Sequence, residues 1–248
     1  MNYSGGSIFI IAHYSGLKND SLKRLIGQLL VFGCKIVVVI NDHIKIDSAL
    51  EIYDDGSVCW VKRENTGMNI GAWRAGYELF PDFEYYHFLQ SECWIKNVSF
   101  LERYVQMLSS RSRIGLLGES INASYDLRPL EIARSGRIVN TAFFEMDNYS
   151  FDRHYKTKVF ERIELYKFFH SRWGFDSTNC SWRHLRSLNW SSRGDLLKDL
   201  CFPVGRSKHE CIAAEIVVSL MVTDLGFCVE QSASTEFSYL GHPDFSPS

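Results

Sequence analysis

The sequence predicts an α/β fold, with a mostly parallel central sheet flanked by helices and a less regular C-terminal half. Three observations predict it. Strand-length runs that are apolar throughout occur at Ser7 to Ala12 and at Cys34 to Ile40. Such runs mark strands buried on both faces. Between them, Leu22, Leu25, Ile26, Leu29 and Leu30 recur at helical spacing behind a capping Asp20 or Ser21. The alternation then continues to about residue 120 and fades beyond it.

In order, the first strand exits through His13-Tyr14-Ser15-Gly16, and the second stops at Asn41-Asp42. A third strand is expected at Val58 to Lys62, a helix at Ile70 to Leu79, and a fourth strand at Tyr85 to Leu89. A helix over Phe100 to Leu108 and a fifth strand at Ile114 to Leu117 complete a doubly wound half. Later, Ile138 to Met146 reads as a strand and Phe151 to Trp173 as an aromatic, basic helix. Asp176 to Asp195 reads as a polar loop or lid, Ser207 to Leu225 as an apolar helix ended by Gly226, and Phe227 to Glu230 as a last strand. The expectation is one domain over 1–248, with halves at 1–120 and 121–248.

Composition narrows the function. Of 248 residues, 27 are Lys or Arg and 29 are Asp or Glu, for a net charge of −2. That balance argues against a dedicated nucleic-acid binder. No stretch reaches the roughly 20 apolar residues of a membrane span, and Met1 to Gly6 lacks the form of a secretion signal. The 7 cysteines are scattered without C-x-x-C spacing, which predicts free thiols in a reducing compartment. A cytoplasmic protein is expected, and Asn-x-Ser sequons such as those at Asn97, Asn122, Asn148, Asn179 and Asn189 read as chance. Aromatic residues, at 14% with 6 Trp, are the compositional excess.

Ligands of open α/β sheets bind beyond the carboxyl ends of the strands. The residues there are His13 and Tyr14, Asn41 and Asp42, Arg63 to Gly71, and Gln90-Ser91-Glu92. Amides suit a base or ribose edge, and Arg63 and Arg74 offer forked donors to phosphate. Asn41-Asp42 equally reads as a turn after a strand. Gly67 and Gly71 make neither a dinucleotide fingerprint nor a P-loop, and no hydrolase elbow is present.

The segment Arg63-Glu-Asn-Thr-Gly-Met-Asn-Ile-Gly-Ala-Trp-Arg-Ala-Gly-Tyr77, with Tyr85-Tyr-His-Phe-Leu-Gln-Ser-Glu92, resembles glycosyltransferases of the GT-A fold. The nearest patterns are family-2-like enzymes and rhamnan-synthesis-type bacterial polysaccharide proteins. The resemblance covers residues 7 to 118 and is looser beyond. It implies a transferase moving a sugar from a nucleotide-diphosphate donor to a saccharide or lipid-linked acceptor, in surface polysaccharide, lipopolysaccharide or capsule assembly. It makes His13, Tyr14, Asn41, Asp42, Arg63, Asn65, Asn69, Gly71, Arg74, Gln90 and Ser91 contacts to the nucleotide-sugar. The family's D-x-D acid pair is replaced by Gln90-Ser91-Glu92, leaving Glu92 to hold Mg2+ or Mn2+, with arginine neutralisation as the alternative. A late histidine, His242, would close on the metal and diphosphate, or is simply a loop histidine.

The implied general base falls at Lys208-His209-Glu210, with Glu215 a second candidate and His209 a third. Ser207-Lys-His-Glu210 reads as well as a helix capping box. Trp182 and Trp190, in the arginine-rich stretch, are candidate acceptor-stacking residues. The helix at 151–173 is a core helix with a solvated basic face, or a surface for an anionic lipid-linked acceptor at the inner face of a membrane. Two rivals remain: a catalytically inactive binding or assembly subunit, and a nucleotidyltransferase, whose usual basic, glycine-rich loop is not evident in His13 to Lys18.

Overall fold

The computed structural model describes residues 6–17, 19–42, 51–122, 184–200 and, with breaks at 201, 203, 206–210, 212–213, 216–217, 220 and 224, residues 202–243. The strand expected at 138–146 and the helix at 151–173 lie outside the described residues.

The chain begins with β1 (Ser7–Tyr14), α1 (Asn19–Leu30), β2 (Lys35–Asp42), β3 (Glu51–Asp54), β4 (Val58–Glu64), α2 (Met68–Leu79) and β5 (Tyr85–Gln90). It continues with β6 (Trp94–Ile95), α3 (Phe100–Ser110), β7 (Ile114–Gly118), β8 (Ile121–Asn122), β9 (His184–Leu185), β10 (Asn189–Arg193) and α4 (Gly194–Leu197). Described residues from 211 to 223 are helical, and β11 (Cys228–Gln231) and β12 (Leu240–Gly241) follow. No helix among the described residues is long and apolar enough to cross a membrane.

Eight strands form one mixed sheet in the order β11-β7-β10-β5-β1-β2-β4-β3. β1 lies parallel to both β2 and β5, with Ile10 opposite Val37 on one side and Phe88 on the other. The apolar run dictates this central place, because Ile8, Phe9, Ile10 and Ile11 are all fully buried and side chains alternate between faces. Ile8 and Ile10 join Val37, Val39, Trp73 and Phe88 on one face. Phe9 and Ile11 join Leu25, Ile36, Val38, Phe100 and Tyr104 on the other, under α1 and α3. In α1, Leu22, Leu25 and Leu29 form the buried stripe that the spacing predicts.

The sheet is only partly parallel, and two strands differ from expectation. β3 pairs antiparallel with β4 as an edge hairpin closed by Asp55-Gly56-Ser57, where Gly56 N–H donates to Asp54 Oδ1 at 2.8 Å. Its Ile52 and Tyr53 are exposed, so it shows no apolar run. The larger correction is β10, inserted antiparallel between β5 and β7 where a loop or lid is expected. The sequence Asn-Trp-Ser-Ser-Arg looks like a loop because its buried positions, Trp190 apart, are polar. Neighbours satisfy them: Ser192 Oγ donates to Gly115 O at 2.7 Å, and Ser191 Oγ meets His87 Nδ1 at 2.9 Å. A buried hydroxyl with a partner no longer opposes burial.

His87 is the sharpest consequence. Fully buried between Phe9 and Phe100, at ring distances of 5.2 and 5.8 Å, it leaves Nε2 without a partner among the described residues. Loss of hydration pushes its pKa from 6.5 down to about 3. Above pH 6.5 the ring is neutral in both folded and unfolded chains. Below it, the unfolded chain takes up a proton that the folded chain refuses until about pH 3. Stability therefore falls with falling pH across that window, by up to about 1.4 kcal/mol per pH unit. His87→Gln keeps a partner for Ser191 and does not titrate. Urea unfolding from pH 7 to pH 5 should show a shallower acid loss in His87→Gln than in the wild type. Equal slopes would refute the assignment.

Candidate functional site

The order of strands reverses at β1. The β1-α1-β2 and β2-to-β4 connections extend the sheet to one side, whereas α2 crosses over and places β5 on the other. A crevice at such a reversal is where open α/β sheets receive ligands. Four strand ends meet there, carrying His13 and Tyr14 (β1), Asn41 and Asp42 (β2), Arg63 (β4), and Gln90 with the following Ser91 and Glu92 (β5).

Between β1 and β5, His13 Nδ1 lies 2.9 Å from Ser91 Oγ, and His13 Nε2 lies 3.2 Å from Asn19 Oδ1 at the start of α1. An amide oxygen only accepts, so Nε2 carries the proton and Nδ1 accepts from Ser91. Burial lowers the His13 pKa, against the opposing pull of the Asn19 bond and of the nearby Glu92 charge. The ring is a neutral hydrogen-bonding group near pH 7.

β2, β4 and the loop into α2 are fastened through Asn41. Its Nδ2 donates to Met68 O at 3.0 Å, and its Oδ1 accepts from Arg63 Nη1 at 3.0 Å. Arg63 Nη2 donates to Thr66 O at 2.9 Å. Asn41 is fully buried, and its amide is spent on this scaffold. Asp42 is buried, with Lys62 Nζ at 3.5 Å and Ser15 Oγ at 3.4 Å. Asn65 N–H donates to Asp42 O at 2.8 Å, while its buried Oδ1 finds no partner among the described residues.

The loop is wound tightly because of its glycines. Gly67 has φ +81°, and a Cβ at Gly71 would drive into the Thr66 carbonyl oxygen. Gly67 is the N-cap of α2 and, having no side chain, makes no side-chain bond to the first-turn N–H groups. The first turn of α2 lines a cavity of about 120 Å3 together with Gly67, Ser187, Cys211 and Glu215. That volume is below the roughly 300 to 1,000 Å3 of a whole-ligand site and suits one part of a ligand.

The turn between β9 and β10 closes this cavity and went unread in the sequence. Ser187 O accepts from Asn69 Nδ2 at 3.1 Å and from Gln90 Nε2 at 2.8 Å. Its N–H and hydroxyl both donate to Glu215 Oε2, at 2.9 and 2.5 Å. Tyr14 OH donates to Asn69 Oδ1 at 2.8 Å, and burial raises the Tyr14 pKa far above its ordinary value. His242, 2% exposed, sets Nε2 3.2 Å from Gln90 Oε1. Only the hub formed by Asn69, Gln90 and Glu215 could have pointed to Ser187, and those residues are distant from it in sequence.

Several expectations change. Trp190 is no stacking platform: it is fully buried, 5.0 Å from the Trp73 ring, in the middle of the sheet. Arg74 projects from α2 to Glu78 at 2.7 Å and to Phe202 O at 3.4 Å. Glu215 is held by Ser187 and faces His184 Nε2 at 3.6 Å, which does not suit a free base. His242 contacts an amide. Glu92 is half-buried beside His13, and no three His, Cys, Asp or Glu side chains among the described residues converge on a metal position. His209, Glu210 and Trp182 lie outside the described residues.

No protein-family model matches the chain, and no curated protein matches it. Among solved structures it is similar to CMP:2-keto-3-deoxy-manno-octonic acid synthetase complexed with CTP. The TM-score is 0.47 and the identity 10%, covering 96% of this chain and 94% of that one. The similar structure is a synthetase bound to CTP, not a sugar transferase, and the expectation of glycosyl transfer is withdrawn. At this similarity no residue role passes from it to this chain, and the GT-A assignment has no support from these comparisons.

The burial of Trp190 gives a direct check. Trp190→Ala should lower the unfolding free energy by about 3 to 5 kcal/mol, the cost of emptying a large core site. A loss under about 1 kcal/mol in urea unfolding, expected of a surface-stacking residue, would contradict the core placement.

Proposed function

We propose that the chain binds a nucleoside triphosphate across the strand ends of β1, β2, β4 and β5, and transfers its nucleotidyl group to an acceptor that is already anionic. The reversal of strand order at β1 carries this reading, because it gathers these ends and the glycine-capped start of α2 at one crevice. First-turn N–H groups and the positive end of the helix dipole suit a phosphate. The neutral His13 ring and the Gln90 amide suit the uncharged parts of a nucleotide.

The state of Glu215 favours an anionic acceptor. A hydroxyl acceptor needs a base, whereas this carboxylate already accepts two bonds from Ser187. A carboxylate or phosphate acceptor is ionised near pH 7 without help. Its oxygen would attack the α-phosphorus, forming a new P–O bond as pyrophosphate leaves with the electrons of the broken one. Mg2+ commonly uses one or two carboxylates plus substrate phosphates, and Glu92 fits that demand. A bound cation would offset the phosphate charge. The described strand ends would serve the nucleotide, with the half at 121–248 serving the acceptor.

Titration calorimetry with CTP, UTP, GTP and ATP in Mg2+ should reveal binding of at least one. Asn69→Ala, which unhooks Tyr14 and Ser187 from α2, should weaken it about tenfold, or roughly 1.4 kcal/mol. Pyrophosphate release with acidic or phosphorylated sugars tests the transfer, and binding without release would leave a nucleotide-binding module. Failure of all four nucleotides to bind would refute the reading.

A further inference from the structure

Glu119 is a fully buried carboxylate outside the crevice, directly after β7. Its three donors are neutral. Oε1 accepts from Tyr104 OH at 2.6 Å and Ser232 Oγ at 2.7 Å, and Oε2 accepts from Tyr239 N–H at 3.1 Å. Asn189 completes the cluster, donating to Tyr104 OH at 3.3 Å and accepting from Glu119 N–H at 3.2 Å. Burying a carboxylate is costly unless several bonds hold it, so its donors are fixed with it. Two of the three, Ser232 and Tyr239, belong to one segment of chain, residues 232–242.

That segment is fastened along its length. Ser232 N–H donates to Gly118 O at 2.9 Å, Ser120 Oγ donates to Glu236 Oε1 at 2.8 Å, and Lys96 Nζ donates to Phe237 O at 2.7 Å. Lys96 and Asn97 N–H both donate to Tyr239 O, at 2.9 and 3.1 Å. Leu240 and Gly241 then pair with Ile95 and Trp94 as β12 against β6. A side chain at Gly241 would overlap the Trp94 ring, so the path is narrow. The next residue is His242, on Gln90 at the crevice.

We infer that residues 232–242 are a strap whose position is set by Glu119 and which in turn sets the crevice, with Glu119 a positioning residue acting through His242 and Gln90. The binding part of this inference rests on the nucleotide reading above. Gln90 is held from two sides, by His242 at Oε1 and by Ser187 O at Nε2. A strap displaced at Tyr239 frees one side of that amide and loosens the turn that positions Asn69.

Glu119→Gln is nearly isosteric but cannot satisfy all three donors. With its oxygen toward Tyr104 and Ser232, its NH2 group faces the Tyr239 N–H, donor against donor. Ser232→Ala removes one strap-side donor and serves if Glu119→Gln does not fold. Hydrogen exchange of the full chain should show at least tenfold faster exchange at Lys96, Asn97 and Gln90 in either variant, with β1 and β2 amides within twofold of wild type. Affinity for the nucleotide that binds best should fall about tenfold in Glu119→Gln and in His242→Ala, with no further fall in the double variant. Unchanged exchange at Lys96, or faster exchange there with Gln90 unmoved, overturns the inference, as do additive losses of affinity. If no nucleotide binds the wild-type chain, the nucleotide reading fails alone, and exchange at Gln90 still decides whether strap and crevice are coupled.

Discussion

The crevice is organised around one residue, Ser187, through its backbone N–H, its carbonyl and its hydroxyl. Its carbonyl oxygen takes bonds from α2 through Asn69 and from β5 through Gln90, while its N–H and Oγ hand the load to Glu215. Three elements remote in sequence are thereby held at one turn. β10, which follows the turn, is locked between β5 and β7 by ladder bonds and by the hydroxyls of Ser191 and Ser192. A buried polar group costs free energy unless it is paired, so each of these bonds constrains its neighbours.

This constraint separates what the sequence discloses from what it hides. β1, β2, β4, β5 and β7 are legible because apolar runs bounded by turn residues have few other uses than a strand in a packed core. α1 is legible through its leucine spacing. β10 is hidden because its stability comes from specific partners, His87 and Gly115, that no local pattern encodes. β3 is hidden for the opposite reason: an edge hairpin with exposed Ile52 and Tyr53 needs no apolar alternation.

The same contrast applies to the site. Residues at strand ends could be named from topology, and His13, Ser91, Asn41, Arg63, Asn69 and Gln90 do gather at one crevice. Their roles could not be named. Asn41 and Arg63 spend their polar atoms on the loop into α2, and Trp190 belongs to the core. A tryptophan in a stretch of Arg and Ser looks like a surface platform until Trp73 is seen against it. The gathered groups are mostly neutral donors and acceptors, with cations tied to internal partners. Such a crevice suits recognition by hydrogen bonds and by the start of a helix more than by paired charges.

The nucleotide proposed above would sit at the reversal of strand order, against the start of α2. Amide chemical-shift mapping of the isotope-labelled chain during titration with nucleoside triphosphates locates it residue by residue. Saturable shifts should centre on Met68, Asn69, Ser91 and Ser187, with the amides around Pro81 and Lys198 at the opposite end of β5 unmoved. Shifts confined to that opposite end, or none with any nucleotide, would contradict it.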